Sequence, residues 1–144
     1  MFVLDASVTL SWHFDDEGDG SEDLAQRALE RGVAVPSHWM VEVVNGLLRG
    51  ERRRRTDPSA TSLFLERIAD IDVDVDLQDA ARVQQSWLAI ARRSRLSIYD
   101  AGYLELAQRL SIPIATLDTA LAAAAHSAGV PVIGPLATQE TSNE

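Results

Sequence analysis

The sequence predicts a three-layer α/β domain with a mostly parallel sheet, and three observations predict it. Short apolar runs at Phe2–Leu4 and at residues 33–35, 112–115 and 130–133 are too brief for helices and read as buried strands. Longer stretches with apolar residues at helical spacing separate them, and that alternation places helices on both faces of a parallel sheet. The 144 residues suit one domain, assigned to 1–137, ahead of a polar tail at 138–144 that is expected to fray.

The first run ends at Asp5, and a helix is expected from Ser7. Taken alone, Asp5 reads most simply as that helix's N-cap. Residues 15–20 form an acidic, glycine-containing loop. Asp15, Glu17 and Asp19 fit the first, third and fifth positions of a calcium loop, but the twelfth is Gln26, which cannot supply the bidentate carboxylate such a loop needs. A solvated surface loop is the better reading. Leu24, Ala25, Ala28 and Leu29 stripe the next helix, with Gly32 as its C′ residue. After the strand at 33–35 and Pro36, a helix runs from His38 to about Arg52. Met40, Val43, Val44 and Leu47 are its expected core face; Glu42, Asn45, Gly46 and Arg49 share another, with Trp39 at its edge.

Asp57-Pro58 joins an N-cap to an N1 proline and opens a helix with Thr61, Phe64, Leu65 and Ile68 on one side. Residues 71–75 alternate apolar and acidic, which suits an edge strand guarded by Asp72 and Asp74. Asp76 is expected to cap a long helix on which Ala80, Val83, Trp87, Ile90 and Ala91 line up, closed by Arg92, Arg93 and Arg95. The following helix is unusually apolar. Tyr99, Tyr103, Leu106, Ala107 and Leu110 form one stripe, and Ala101 and Leu104 a second flank. Asp100 lies in its first turn along that apolar surface, where a carboxylate is costly unless something compensates it. Gly102 beside it lowers helix propensity but lets another backbone come close. The strand at 112–115 ends at Thr116, Leu117 and Asp118. Asp118 opens an alanine-rich helix with Leu121, Ala124, Ala125 and Ala128 inward and Gly129 as its C′ residue.

A net charge of −9 excludes a general nucleic-acid coat and leaves room for a local basic patch. Arg49, Arg52, Arg53, Arg54 and Arg55 make one at a helix end, where they complement the helix dipole or contact phosphates; the two roles are compatible. The absence of cysteine excludes disulfides and thiolate metal sites. Met1 runs into the first strand with no basic leader, and no apolar run is long enough to span a bilayer. A soluble, cytoplasmic protein without a membrane partner is expected.

The chemistry collects at four acids. Asp5 and Asp118 end strands and open helices; Glu42 and Asp100 lie on helices that follow strand or turn segments. In open α/β sheets the ligand crevice lies outside the carboxyl ends of the strands. Each acid singly is cheaply explained as a cap or surface residue; all four reaching one crevice is not. Four carboxylates at close range cannot all stay ionised, and a hard divalent cation such as Mg²⁺ or Mn²⁺ resolves that. Such an ion lowers the pKa of a bound water and clamps a phosphoryl oxygen. Zinc does not fit, because His13, His38 and His126 are isolated and there is no cysteine. Neither a phosphate-cradling P-loop nor a dinucleotide fingerprint is present.

The stretch from Met1 through Asp5 to Ser7, the stretch from Pro36 through Trp39 to Glu42 with Asn45, residues 98–107 around Asp100, and residues 114–118 together resemble PIN-domain proteins. More narrowly, they resemble the VapC-type toxins of bacterial toxin–antitoxin pairs. The likeness runs in order from residue 1 to about 135 and is carried by the ordered set, each motif alone being weak. It implies a three-layer α/β/α PIN-like fold with a mostly parallel five-stranded sheet and Mg²⁺-dependent endoribonuclease activity, with Mn²⁺ as a substitute ion. It also implies homodimers and a cognate VapB-type antitoxin that blocks the site. Carried over residue by residue, Asp5, Glu42, Asp100 and Asp118 are the catalytic acids. Asp5, Asp100 and Asp118 hold the metal directly, and Glu42 is a ligand or orients the attacking water. Ser7, Asn45 and Thr116 match polar positions lining the family's site. Thr119-Ala120 departs from the pattern, since many relatives carry a basic residue there; phosphate contact then falls to the arginines elsewhere. Two other readings stay open: a PIN fold that acts only by binding protein, and a nuclease acting on DNA.

Overall fold

The computed structural model describes residues 1–14 and 21–137. The acidic loop at 15–20 and the polar tail at 138–144 lie outside the described residues. Strand β1 (Phe2–Leu4) leads into helix α1 (Ala6–Phe14), and α2 (Ser21–Arg31) into β2 (Val33–Pro36). Helices α3 (Trp39–Arg52) and α4 (Pro58–Ile68) precede β3 (Val73–Asp76). A short α5 (Ala80–Arg82), a π-helical turn at Val83–Trp87 and α6 (Leu88–Ser94) follow. The chain closes with α7 (Ile98–Leu110), β4 (Ile114–Ala115), α8 (Thr119–Ser127) and β5 (Val132–Ile133).

The five strands form one sheet in the order β3-β2-β1-β4-β5, and every pairing is parallel. β1 is central, with Val3 opposite both Ala34 and Ile114. Phe2, Val3, Leu4, Val33, Val35 and Ile114 are fully buried, as strands covered on both faces must be. The chain fills the sheet to one side of β1 first and then crosses to the other. The switch point therefore lies between the carboxyl ends of β1 and β4, where the Asp5 N–H donates to the Ala115 carbonyl at 3.0 Å.

Several local signals act as expected. Asp57 accepts the Ala60 N–H at 2.9 Å with Pro58 behind it, so α4 starts where the Asp-Pro pair places it. Gly32 and Gly129 take φ of +75° and +76° just past α2 and α8, the left-handed conformation that ends a helix at little steric cost for glycine. At Gly102 the expected close backbone is not what approaches: a Cβ there would stand 2.8 Å from the Trp87 ring, so the space is taken by an indole side chain.

Other expectations are corrected. The edge strand is Val73–Asp76 and not 71–75: Ile71 turns into the core, and the Asp72 carbonyl accepts the Val33 N–H at 3.0 Å. Asp76 caps no helix. The cap is Asp79, whose carboxylate accepts the Arg82 N–H at 2.8 Å, while Asp76 pairs with Arg109 at 2.6 Å and so fastens β3 to α7. The long helix is interrupted by the π-helical turn, at whose end Trp87 enters the core. On α3 the buried residues are Trp39, Val43, Leu47 and Gly50, whereas Met40 and Val44 are exposed. The Trp39 indole N–H donates to the Thr9 hydroxyl at 3.1 Å, a buried bond that draws this edge of the helix inward. Leu29, Tyr99 and Leu110 are exposed despite their places on apolar stripes. Among the described residues no helix is long and apolar enough to cross a membrane.

Candidate active site

Asp5 stands at the end of β1, only 5% exposed. Its Oδ2 accepts two hydrogen bonds of 2.7 Å, from the hydroxyls of Ser7 and Thr116. Each hydroxyl also accepts a backbone N–H from the loop after β4: Ser7 Oγ from Leu117 at 3.0 Å and Thr116 Oγ1 from Asp118 at 3.0 Å. One buried carboxylate thus pins that loop through two hydroxyl bridges. Burial pushes the Asp5 carboxyl above its ordinary pKa; the two hydroxyl bonds oppose that, and the Asp118 charge adds to it. Asp118 Oδ1 accepts the Leu121 N–H at 3.0 Å and caps α8. Among the described residues no donor reaches its other oxygen.

Replacing Thr116 by Val tests the bridge. The Asp118 N–H would lose its acceptor and Asp5 one of its donors, so stability should fall by about 1–3 kcal/mol, the cost of leaving buried polar groups unpaired. Thr116→Ser should recover most of it. Urea melts in chelator measure both; a Val variant as stable as wild type would show that the bridge holds nothing in place.

Glu42 lies in the first turn of α3, and its Oε1 accepts the Tyr103 hydroxyl at 2.8 Å. Burial raises its pKa, the Tyr103 bond lowers it, and the Asp5 charge raises it again. Asp100 lies in the first turn of α7, whose N-cap Ser97 accepts the Asp100 N–H at 3.1 Å. Its carboxyl is pushed up to about 6 by burial first, then by the charges of Asp5, Asp118 and Glu42. Asp100 therefore feels the charges of all three other acids near the switch point. Among the described residues no arginine forms an ion pair with any of them.

Two contributors escape sequence reasoning. Tyr103 reads as apolar, yet it is fully buried with its hydroxyl holding Glu42. Its position three residues after Asp100 on one helix was the available signal. His38 reads as isolated, yet its Nε2 lies 3.0 Å from the Tyr99 carbonyl and 3.6 Å from Glu42 Oε1. Its ring makes edge contacts with Trp87, Tyr99 and Tyr103. Burial lowers its pKa against the effect of the Tyr99 bond, so the imidazole is neutral at pH 7 and supplies no counter-charge to Glu42. The i,i+4 spacing of His38 and Glu42 could have revealed this contact. Asn45 is exposed on α3, and among the described residues no side-chain hydrogen bond joins it to the acids. The five arginines are exposed at the end of α3 and in the turn after it.

The donor set is all carboxylate oxygen and hydroxyl, which suits a hard cation. Among the described residues, no group of three or more His, Asp or Glu stands closely enough to hold a metal ion. A closed structural cage of the zinc type is therefore not formed. Oxygen donors of this kind are the ones Mg²⁺ takes, an ion that keeps several waters and binds one or two carboxylates directly.

With fold and site in place, the class is defined: residues 2–127 match the PIN domain family, and the chain belongs to it. It is 26% identical over 122 residues to Ribonuclease VapC3 of Pyrobaculum aerophilum, a match covering 83% of this chain and 91% of that protein. Among solved structures it resembles PAE2754 from Pyrobaculum aerophilum, with a TM-score of 0.64 at 20% identity over 85% of this chain and 84% of that one. The structural likeness bears on the fold alone.

Proposed function

We propose that this chain is a Mg²⁺-dependent endoribonuclease and the toxin of a VapBC-type toxin–antitoxin pair. The observation that carries the reading is the mutual electrostatic loading of Asp5, Glu42, Asp100 and Asp118 at the switch point, with no arginine paired to any of them among the described residues. The likeness to a protein named Ribonuclease VapC3 supports RNA as the substrate and a VapB-type antitoxin as the partner. A cytoplasmic homodimer completes the proposal.

In this reading Asp5, Asp100 and Asp118 would hold the ion, with Mn²⁺ as its substitute. The ion supplies positive charge that acidifies a water and stabilises a phosphoryl oxygen. The chain does the rest. The two hydroxyl bridges fix Asp5 and the backbone of Asp118, so neither acid has to reorganise when charge develops. Glu42 is held at one oxygen by Tyr103, which leaves the other to orient a water against the phosphodiester.

Expression of the chain alone should arrest growth, because an unguarded ribonuclease destroys RNA. Co-expression with the product of a small adjacent reading frame should restore growth and yield a stable complex. Harmless expression of the folded chain without any partner would count against the toxin reading.

A further inference from the structure

The arginine run is divided between two hollows. Arg53 N–H donates to the Arg49 carbonyl, Arg54 N–H to Glu51 and Arg55 N–H to Gly50, so the chain doubles back at the end of α3. Arg54 sits in the left-handed region with φ of 58°, which turns successive side chains to opposite sides. Arg49, Arg53 and Arg55 line a cavity of about 320 Å³ between α1 and α3. Arg52 and Arg54 line a separate hollow toward the start of α4, which Arg55 also borders.

The first cavity is a built feature. A Cβ on Gly46 would strike Leu10, and one on Gly50 would strike Phe14, so these two glycines, one turn apart, let α1 close onto α3 beneath the cavity floor. His13 Nε2 lies 2.8 Å from the Thr56 hydroxyl and ties the end of α1 to the turn carrying the arginines. The Arg55 guanidinium lies 4.7 Å from the centre of the Phe14 ring. None of the described residues lining the cavity is acidic, in a chain of net charge −9. Among the described residues no carboxylate pairs with Arg49 or Arg53.

The cavity also adjoins the acids. Ser7 and Leu117 belong to its wall, and Ser7 is the residue whose hydroxyl bonds Asp5 at 2.7 Å and receives the Leu117 N–H. A strand leaving the acid crevice past Ser7 enters a cationic recess within one residue of Asp5's hydrogen-bond shell. Its size lies at the low end of small-ligand pockets, roughly 300–1,000 Å³, which is room for about one nucleotide.

We propose that this recess is a phosphate subsite for the RNA strand next to the scissile linkage. Arg49 and Arg53 bind the phosphate, and Arg55 on Phe14 forms the outer wall. Arg52 and Arg54 face away and take no part. The assignment rests on the ribonuclease reading and refines it.

Two double variants separate the possibilities: Arg49→Gln with Arg53→Gln, and Arg52→Gln with Arg54→Gln. Both remove the same charge from the same helix end, so a general electrostatic effect would move them alike. Binding of a short labelled single-stranded RNA is measured in chelator against salt, and its cleavage in Mg²⁺ gives kcat and KM, with thermal melts confirming folding. The first pair should raise Kd and KM about tenfold and lower the salt slope by about 1.4, two contacts at about 0.7 each. The second should change either by less than about twofold. Scanning a neutral methylphosphonate along the RNA should show one sensitive linkage beside the cleavage site in the wild type and none in the first variant. Equal effects of the two doubles, or an unchanged methylphosphonate profile, overturn the subsite while leaving the ribonuclease reading standing. A wild type that neither binds nor cleaves RNA overturns both.

Discussion

Replacing Asp100 by Asn is expected to lower RNA cleavage by about 100-fold or more, the scale on which a preorganised charged group acts, while leaving the metal-free protein at least as stable as wild type at neutral pH. Asp100 is half-buried and surrounded by three other acids, and its carboxyl is raised from an ordinary 3.8 to about 6. Below about pH 4 both folded and unfolded chains carry this proton, and it makes no difference to stability. Between about pH 4 and 6 the unfolded chain has released it and the folded chain still holds it, so folding weakens as pH rises. Above about 6 the cost is constant. The Asn variant lacks this contribution: its metal-free stability should fall less steeply across that window and be equal or higher at pH 7. Asp5 and Glu42 are shifted in the same direction, so some slope should remain. Urea melts across that range in chelator test the sign. An Asn variant that is less stable at pH 7 with an unchanged slope would make Asp100 a structural residue.

Magnesium is expected to stabilise the wild type, by about 2.7 kcal/mol at a hundred times its Kd, and Asp118→Asn should lose most of that gain. Asp118 Oδ1 accepts the Leu121 N–H, and asparagine caps helices about as well as aspartate. The melting temperature in chelator should therefore move little, while the shift on adding Mg²⁺ collapses. A purely structural aspartate gives the opposite pair of results: a lower melt in chelator and an undiminished response to the ion. The two are distinguished in one set of thermal melts.

The parts of this fold legible in the sequence are those where one residue type has one cheap explanation. Phe2–Leu4 can only be a buried strand, and an aspartate directly after such a run lies at the carboxyl edge of the sheet. Asp57-Pro58 has one reading and the structure follows it. Asp76 and Asp79 lie three residues apart and both suit an N-cap; the choice was made by Arg109, which reaches Asp76 from α7 and could not be located from sequence. On α3, apolar residues lie on both sides of the helix, so the apolar pattern does not fix its rotation. Gly46 and Gly50, which carry no hydrophobic signal, face Leu10 and Phe14 of α1 with no room for a Cβ. Asp5 and Asp118 share one edge of the sheet because β1 and β4 are neighbours, which was foreseeable from their places after two buried strands. The holding groups were not: Tyr103 is a hydroxyl hidden in an apolar stripe, and the Ser7 and Thr116 bridges join residues more than a hundred positions apart.

The central claim is that these four carboxylates form one metal-dependent ribonuclease centre. The most direct measurement is cleavage of a defined single-stranded RNA by the purified chain, with Mg²⁺ and with chelator, beside Asp100→Asn and Asp118→Asn. Internal cuts by the wild type should stop in chelator, return with Mg²⁺ or Mn²⁺, and be absent from both variants whatever the ion concentration. Cleavage that continues in chelator, or that survives both substitutions at wild-type rate, would contradict it.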